Sequence, residues 1–215
     1  MFITLEGGEG AGKTTQIVHL AGILAERGRR CILTREPGGT GLGKKIRALL
    51  LHPENTGMAP ETELLLYMAD RAEHVSTVIR PALADGKAVL CDRFFDATLV
   101  YQGAARGLAL EWAARLHELV FPGLTPDLTL LLDLPPEVGL IRARRQLEKG
   151  GRSAQESRFE NEHLDFHRRV REGYLELVRR EPERFRLIDA AQDEDRVRVD
   201  IRVAVESFLN RRRKD

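Results

Sequence analysis

Phe2-Ile3-Thr4-Leu5-Glu6, followed without a break by Gly7-Gly8-Glu9-Gly10-Ala11-Gly12-Lys13-Thr14-Thr15, is the stretch that decides the fold. A short β-rich apolar run enters the pattern G-x-x-x-x-G-K-[ST]. After it Ile17, Leu20, Ala21 and Leu24 recur at helical spacing, and Gly28 supplies the stop, which predicts a helix over Thr14–Arg27. Strand, glycine loop and helix in that order are what the motif's chemistry requires. Backbone N–H groups unobstructed by Cβ atoms wrap a phosphate, and the next helix points its positive dipole end at the same anion. Lys13 is then placed to bridge the outer phosphates and the Thr14 hydroxyl to ligate Mg²⁺. The same residues cannot be shifted into the dinucleotide pattern G-x-G-x-x-G, which disfavours a nicotinamide-binding fold.

Outward from this loop, short apolar runs alternate with longer stretches of helical period. That alternation predicts an α/β fold: a five-stranded parallel sheet with helices on both faces. The strand candidates are Phe2–Glu6, Cys31–Thr34, Ala88–Cys91, Leu128–Asp133 and Phe185–Asp189. A second helix is expected over Gly43–Leu51, and a long one opened by Pro60 with an acidic first turn, running to Arg80 and closed by Pro81. No internal repeat or low-complexity linker divides the 215 residues, so one domain is expected. Arg142–Glu172 is the exception in character. About half of it is charged, and Gly150-Gly151 with Ser153-Ala154 interrupts the helical pattern, so a mobile charged segment between two helices is expected, a solvated insertion being the plain alternative.

Lys and Arg number 34 against 33 Asp and Glu, a formal charge of +1, which removes the usual electrostatic reason to expect a general nucleic-acid or membrane binder. Any strong anion affinity must be local. Cys31 and Cys91 lie in separate apolar runs and imply neither a disulfide framework nor a metal knuckle. There is no apolar run of 18 residues and no basic leader before one, so a cytoplasmic protein is expected. Arg211-Arg212-Arg213-Lys214 reads as a frayed, solubilising tail.

The phosphate loop names a ligand, not a reaction. Asn-Lys-x-Asp, which reads guanine, is missing; Asp92 is followed by Arg93 where motor and transporter ATPases carry a second acid; and Gly8 stands where partition ATPases have an additional lysine. In an open α/β sheet ligands sit beyond the carboxyl ends of the strands. Strand two ends in Arg35-Glu36-Pro37-Gly38-Gly39-Thr40 and strand three in Asp92-Arg93-Phe94, so two arginines converge on the edge where the loop holds a triphosphate. The acceptor they imply is itself a phosphate, recognised by bidentate guanidinium groups. A phosphate monoester, with a second pKa of about 6, is already mostly dianionic at neutral pH and needs no general base. What it needs is relief of polyanion repulsion, which Mg²⁺ and positioned cations supply. The basic stretch from Arg142 to Arg158 could add such cations by closing as a lid.

Tyr67 and Arg71, spaced i, i+4, share a helix face and could stack on a planar base and bond its edge, although these residues alone fit an ordinary half-buried face better. His163 and His167 lack the intervening Glu of a zinc helix and read as an exposed pair. Asp133 reads as a strand-terminal turn before Pro135-Pro136.

The motifs Phe2 to Thr15, Thr34-Arg35-Glu36-Pro37-Gly38-Gly39-Thr40, Ala69-Asp70-Arg71-Ala72-Glu73-His74, Asp92-Arg93, Tyr101-Gln102-Gly103 and Pro126-Asp127-Leu128-Thr129 together resemble bacterial thymidylate kinase, in order, from residue 2 to about residue 190. The resemblance implies the nucleoside-monophosphate-kinase form of the P-loop fold with a lid at about residues 142–158, transfer of the γ-phosphoryl of ATP to dTMP, Mg²⁺ dependence and a homodimer. It further implies that Gly7 to Thr15 bind ATP, that Arg35 and Arg93 hold the dTMP phosphate, and that Tyr67 stacks on thymine while Arg71 bonds the base. Thr98 and Gln102 would line the thymine pocket, and Tyr101 would stand near the sugar 2′ position. Glu9 would lie by the acceptor phosphate and the metal, with Thr14 and Asp92 as further metal positions. Residues 8–11 contain no arginine, which is similar to members whose auxiliary arginine sits in the lid, here Arg158 or Arg152. Ser157 stands where many relatives carry Asp, and Ala97 where they carry Ser. Another P-loop small-molecule or nucleoside monophosphate kinase, and further off a P-loop ATPase switch, are the alternatives.

Overall fold

The computed structural model describes residues 1–149 and 154–212. Five parallel strands form one sheet: β1 (Phe2–Glu6), β2 (Cys31–Arg35), β3 (Ala88–Asp92), β4 (Leu128–Asp133) and β5 (Phe185–Asp189), in the order β2-β3-β1-β4-β5. The expected strands are recovered within one residue. β1 is central and buried along its whole length, as a strand covered on both faces must be, whereas β2 and β5 are edges with two of five residues exposed in each. Register is fixed by pairs such as Thr4 with Cys91 on one side and Thr4 with Thr129 on the other, the two threonine hydroxyls lying 2.9 Å apart. The chain leaves β1 toward β2, fills in β3, then crosses to β4, so the direction of winding reverses at β1. The crevice of such a sheet opens there, at the carboxyl end.

Alternation along the strands divides the core. Ile3, Leu5, Leu90 and Leu130 face α1 (Lys13–Glu26) and α9 (Glu194–Arg211), which contribute Leu20, Leu24, Ile201 and Val205. On the other face Phe2, Val89 and Cys91 meet α3 (Pro60–His74) and α6 (Leu110–Val120), while Leu131 and Phe185 meet α8 (Leu164–Arg180). Between these lie α2 (Gly41–Leu51), α4 (Arg80–Ala84), α5 (Phe95–Thr98) and α7 (Pro136–Glu148). Among the described residues no helix is long and apolar enough to cross a membrane.

Three expectations are corrected. Pro81 does not close the long helix: a π-helical turn at Val75–Ile79, in which the Arg80 N–H reaches back to the Val75 carbonyl, leads into α4 with Pro81 in its first turn. The widened turn makes room for the ring and for the missing donor, so the axis continues. His167 is not exposed; it is 4% accessible, because with Val170 and Tyr174 it forms the inward stripe of α8, while His163 lies ahead of the helix and stays open. Arg211 and Arg212 are not frayed either: Arg211 completes α9 and Arg212 donates to Asp127 at 2.6 Å. Gly150, Gly151, Arg152, Ser153, Arg213 and Lys214 lie outside the described residues. Of the charged stretch, Arg142 to Glu148 finish α7, and residues from Leu164 onward open α8.

Leu130 has no accessible surface, whereas Leu187 on edge strand β5 is half open. Leu130→Ala is expected to lower unfolding free energy by about 3 kcal/mol and Leu187→Ala by under about 1 kcal/mol, read from urea midpoints.

Candidate active site

β1 delivers Glu6 to the crevice and the glycine loop turns there onto α1, whose N-cap is Gly12. Lys13 folds along the loop and donates to Gly7 O at 2.9 Å and Gly8 O at 2.8 Å. Burial, and after it the neighbouring Arg93 guanidinium, pushes its ammonium down to about 8 against the opposing pull of Asp92, Glu9 and Glu6. The Thr14 hydroxyl donates to the Asp92 carboxylate at 3.1 Å, which couples the loop to the end of β3. The loop's outer wall is α7. A Cβ on Gly10 would fall on the carbonyl of Gly139, and one on Gly139 on the carbonyl of Glu9, so glycine at both positions lets helix and loop touch backbone to backbone.

Arg93 follows β3 in a left-handed backbone conformation, φ 70°, unusual for a residue with a side chain. Its guanidinium donates to Glu9 Oε1 at 2.9 Å and to the Tyr174 hydroxyl at 3.3 Å, and lies 4.8 Å over the Tyr101 ring. Tyr101 Oη donates to the same Glu9 oxygen at 2.9 Å. Behind them Tyr174 Oη donates to the buried Glu6 carboxylate, which also accepts from Phe94 N, both at 2.7 Å. Burial, and then the Asp96 charge, raises the Glu6 carboxyl well above the ordinary carboxylate range.

One face of α3 forms the far wall. Arg71, 1% accessible, donates through Nε to Glu36 at 2.7 Å and through Nη2 to Thr98 Oγ1 at 2.9 Å and Phe94 O at 3.2 Å. His74 bonds the other oxygen of Glu36 at 2.9 Å. The cleft measures about 630 Å³, within the range of small-molecule sites. It is lined by loop residues 9–15 and, from the other elements, by Arg35, Tyr67, Arg71, Asp92 and Arg93, with Thr98, Tyr101 and Gln102 beside them.

The site residues expected from the sequence therefore converge, with three exceptions. Gly7 and Gly8 lie under the loop, where their carbonyls receive Lys13. Arg158 is fully buried away from the cleft, with Nη1 donating to Leu50 O at 2.6 Å and Nη2 to Glu63. The other lid candidate, Arg152, lies outside the described residues. Sequence reasoning missed Glu36, Glu63 and Tyr174, which hold Arg71, Gln102 and Arg93 in place. It also missed Arg47, a cleft residue bound in a fork to Glu156 at 3.0 and 2.8 Å. Glu63 had a legible signal: it stands one turn before Tyr67, on the stripe that Arg71 continues.

A family model described as thymidylate kinase matches residues 5–201. The chain belongs to the thymidylate kinase family. It is 61% identical over 190 residues to thymidylate kinase of Desulfosudis oleivorans, covering 88% of this chain and 89% of the relative. It is 53% identical over 212 residues to that of Desulfovibrio desulfuricans, covering 99% and 98%. A solved structure of thymidylate kinase from Ehrlichia chaffeensis superposes with a TM-score of 0.74 at 32% identity, over 96% of this chain and 98% of that one. Members of the thymidylate kinase family are phosphotransferases that use ATP and Mg²⁺. The oxygens present fit that ion: the Thr14 hydroxyl and Asp92 carboxylate are hard donors 3.1 Å apart, and Mg²⁺ commonly takes one or two carboxylates with waters and substrate phosphates. Among the described residues no cluster of three or more His, Cys, Asp or Glu forms a closed metal cage.

Lys13, near half-protonation at pH 8, gains a full charge when a polyphosphate is placed against it. ATP binding at pH 8 is expected to take up protons, the uptake vanishing toward pH 6 and affinity falling as pH rises through 8; calorimetry in buffers of different ionisation enthalpy reads both.

Proposed function

We propose that this chain phosphorylates dTMP to dTDP with ATP, and that the cleft holds both nucleotides in line with their phosphates meeting between Lys13 and Arg93. The observation that carries the reading is Arg93: a guanidinium fixed from three sides by Glu9, Tyr101 and Tyr174 at the carboxyl edge of the sheet, across from the phosphate loop. Loop N–H groups and Lys13 take the donor's phosphates. Arg93 and Arg35 take the acceptor phosphate, already dianionic, so no general base is needed. Thr14 and Asp92 would hold Mg²⁺, with Glu9 beside it; the ion would supply charge neutralisation between the ATP phosphates and the acceptor phosphate. Tyr67 and Arg71 take the base with Thr98 and Gln102, and Tyr101 closes on the sugar. Arg158 can reach the transferring phosphoryl only if its segment turns and exchanges Glu63 and Leu50 O for the substrate.

The chain acts as one kinase unit over residues 1–215, with a lid at about 142–158, in the cytoplasm, and engages neither nucleic acid nor membrane. A homodimer is the assembly that fits. Adjoining helices α2, α3 and α6 expose Leu42, Leu49, Leu65, Trp112 and Leu119, an apolar face suited to a second copy.

A coupled assay of ADP release with dTMP, dUMP, dCMP and AMP tests the reading. dTMP is expected to be preferred, with some dUMP turnover because one methyl is worth only about 1–3 kcal/mol. Arg93→Ala and Arg35→Ala should lower kcat/KM for dTMP by about 10² or more, with little change in thermal unfolding for the exposed Arg35 and a lowered midpoint for the partly buried, ion-paired Arg93. Equal turnover of dTMP and AMP would sink the assignment, and ATP hydrolysis indifferent to every monophosphate would favour a switch.

A further inference from the structure

The wall of the cleft formed by α3 contains one carboxylate with no accessible surface, Glu63. Three donors meet it: Gln102 Nε2 at 2.7 Å on one oxygen, and Arg158 Nη2 and Arg106 Nη2, the latter at 3.5 Å, on the other. Placed between two guanidinium groups it accepts and has nothing to donate. An amide side chain is nearly two-fold symmetric in shape, and only its hydrogen-bond partners distinguish its two orientations. Glu63 settles the matter for Gln102: the NH₂ group must face the carboxylate, and Oε1 is the atom turned from it, on a residue that lines the cleft.

Arg71 is constrained in the opposite sense. Its Nε–H is held by Glu36 and its Nη2 hydrogens by Phe94 O and Thr98 Oγ1, while Nη1 has only a 3.5 Å contact to the Met68 sulfur. A donor on Nη1 is thereby left beside the cleft. Thr98, which anchors Arg71, stands one turn before Gln102, so the fixed donor and the fixed acceptor are neighbours on one wall.

We propose that Glu63 is a positioning residue for base selection: by fixing the Gln102 amide it presents an acceptor next to the Arg71 donor, a pair that matches 4-oxopyrimidines and opposes 4-aminopyrimidines. A 4-oxo ring offers N3–H and O4, so both contacts are satisfied. A 4-amino ring offers a bare N3 and N4–H₂, so acceptor meets acceptor and donor meets donor. The 5-methyl group has no part in this. The inference rests on the dTMP kinase reading, since it assumes a pyrimidine monophosphate in the cleft.

The test is the ratio of kcat/KM for dUMP to that for dCMP, two monophosphates offered in this assay that differ only along that edge. Both carry the same phosphate and sugar, so effects on phosphoryl transfer cancel in the ratio. Glu63→Gln gives the amide a partner that both donates and accepts, and so frees it to turn. The ratio is expected to fall about tenfold or more, through a higher KM for dUMP and a lower KM for dCMP, while the dTMP to dUMP ratio stays within about twofold. Because Glu63→Gln orphans a buried arginine, Glu63→Gln/Arg158→Met is measured beside it; removing both charges preserves the fold better than removing one. Glu63→Asp, which keeps the acceptor-only carboxylate, is expected to retain most of the discrimination. An unchanged dUMP to dCMP ratio in folded Glu63→Gln or Glu63→Gln/Arg158→Met would overturn the proposal, as would an equal loss for all pyrimidines, which is the mark of a merely structural role. Absence of dTMP turnover in the unmodified protein would instead overturn the dTMP kinase reading.

Discussion

A continuous path of hydrogen bonds holds this cleft: Phe94 N and Tyr174 Oη on Glu6, Arg93 on Tyr174 and Glu9, and Tyr101 on Glu9. It joins the end of the central strand, the glycine loop, the end of β3, the π-helical turn at Leu99–Ala105 and the middle of α8, elements scattered over 168 positions of sequence. Glu6 is the deepest point. A buried carboxyl there would be costly unless satisfied, and the two donors it accepts fix where α8 and the β3 exit must lie. Arg93 then holds φ 70° because its backbone and its side chain are both committed, the N–H to Leu5 O at 3.0 Å and the guanidinium to three partners. Strain of this kind persists only where the surroundings over-determine it.

The near-neutral charge of the chain follows the same principle. Four arginines at the cleft or behind it come with their own acids: Arg93 with Glu9, Arg71 with Glu36, Arg47 with Glu156, Arg158 with Glu63. Each acid sets its arginine's direction as well as its charge. A guanidinium fixed in one plane before a nucleotide arrives loses little freedom when it binds, which favours orientation over bulk attraction. A net charge of +1 is thus compatible with a site for polyanions.

Most of the sheet was legible because strand, loop and helix carry local signals, an apolar run, a glycine pattern and a period of 3.6. Arg35 and Arg93 were legible because a sheet edge fixes where such residues point, whereas the spacing of Tyr67 and Arg71 fitted an ordinary half-buried face better and only the family resemblance implied a place at the base. Glu36 and Tyr174 were not, and of Glu63 only its place on the Tyr67 stripe was, since their partners lie 35, 168 and 39 positions away and no local pattern announces a long-range hydrogen bond. Pro81 misled because a proline ends a helix only if the preceding turn keeps its ordinary width. His167 misled because i, i+4 spacing says that two residues share a face only when both are inside the helix. Arg158 shows the same limit, its buried role depending on a carboxylate 95 residues earlier.

Tyr174 offers the most direct test that the site is organised from behind, because it bonds both Glu6 and Arg93 and is absent from the lining of the cleft. Tyr174→Phe removes one hydroxyl and keeps the ring that packs in the core. In that variant kcat/KM for dTMP is expected to fall about tenfold or more, the equivalent of about 1.4 kcal/mol, with the KM for ATP within about twofold of the unmodified enzyme. Unchanged kcat/KM for dTMP in a folded Tyr174→Phe variant would contradict that organisation.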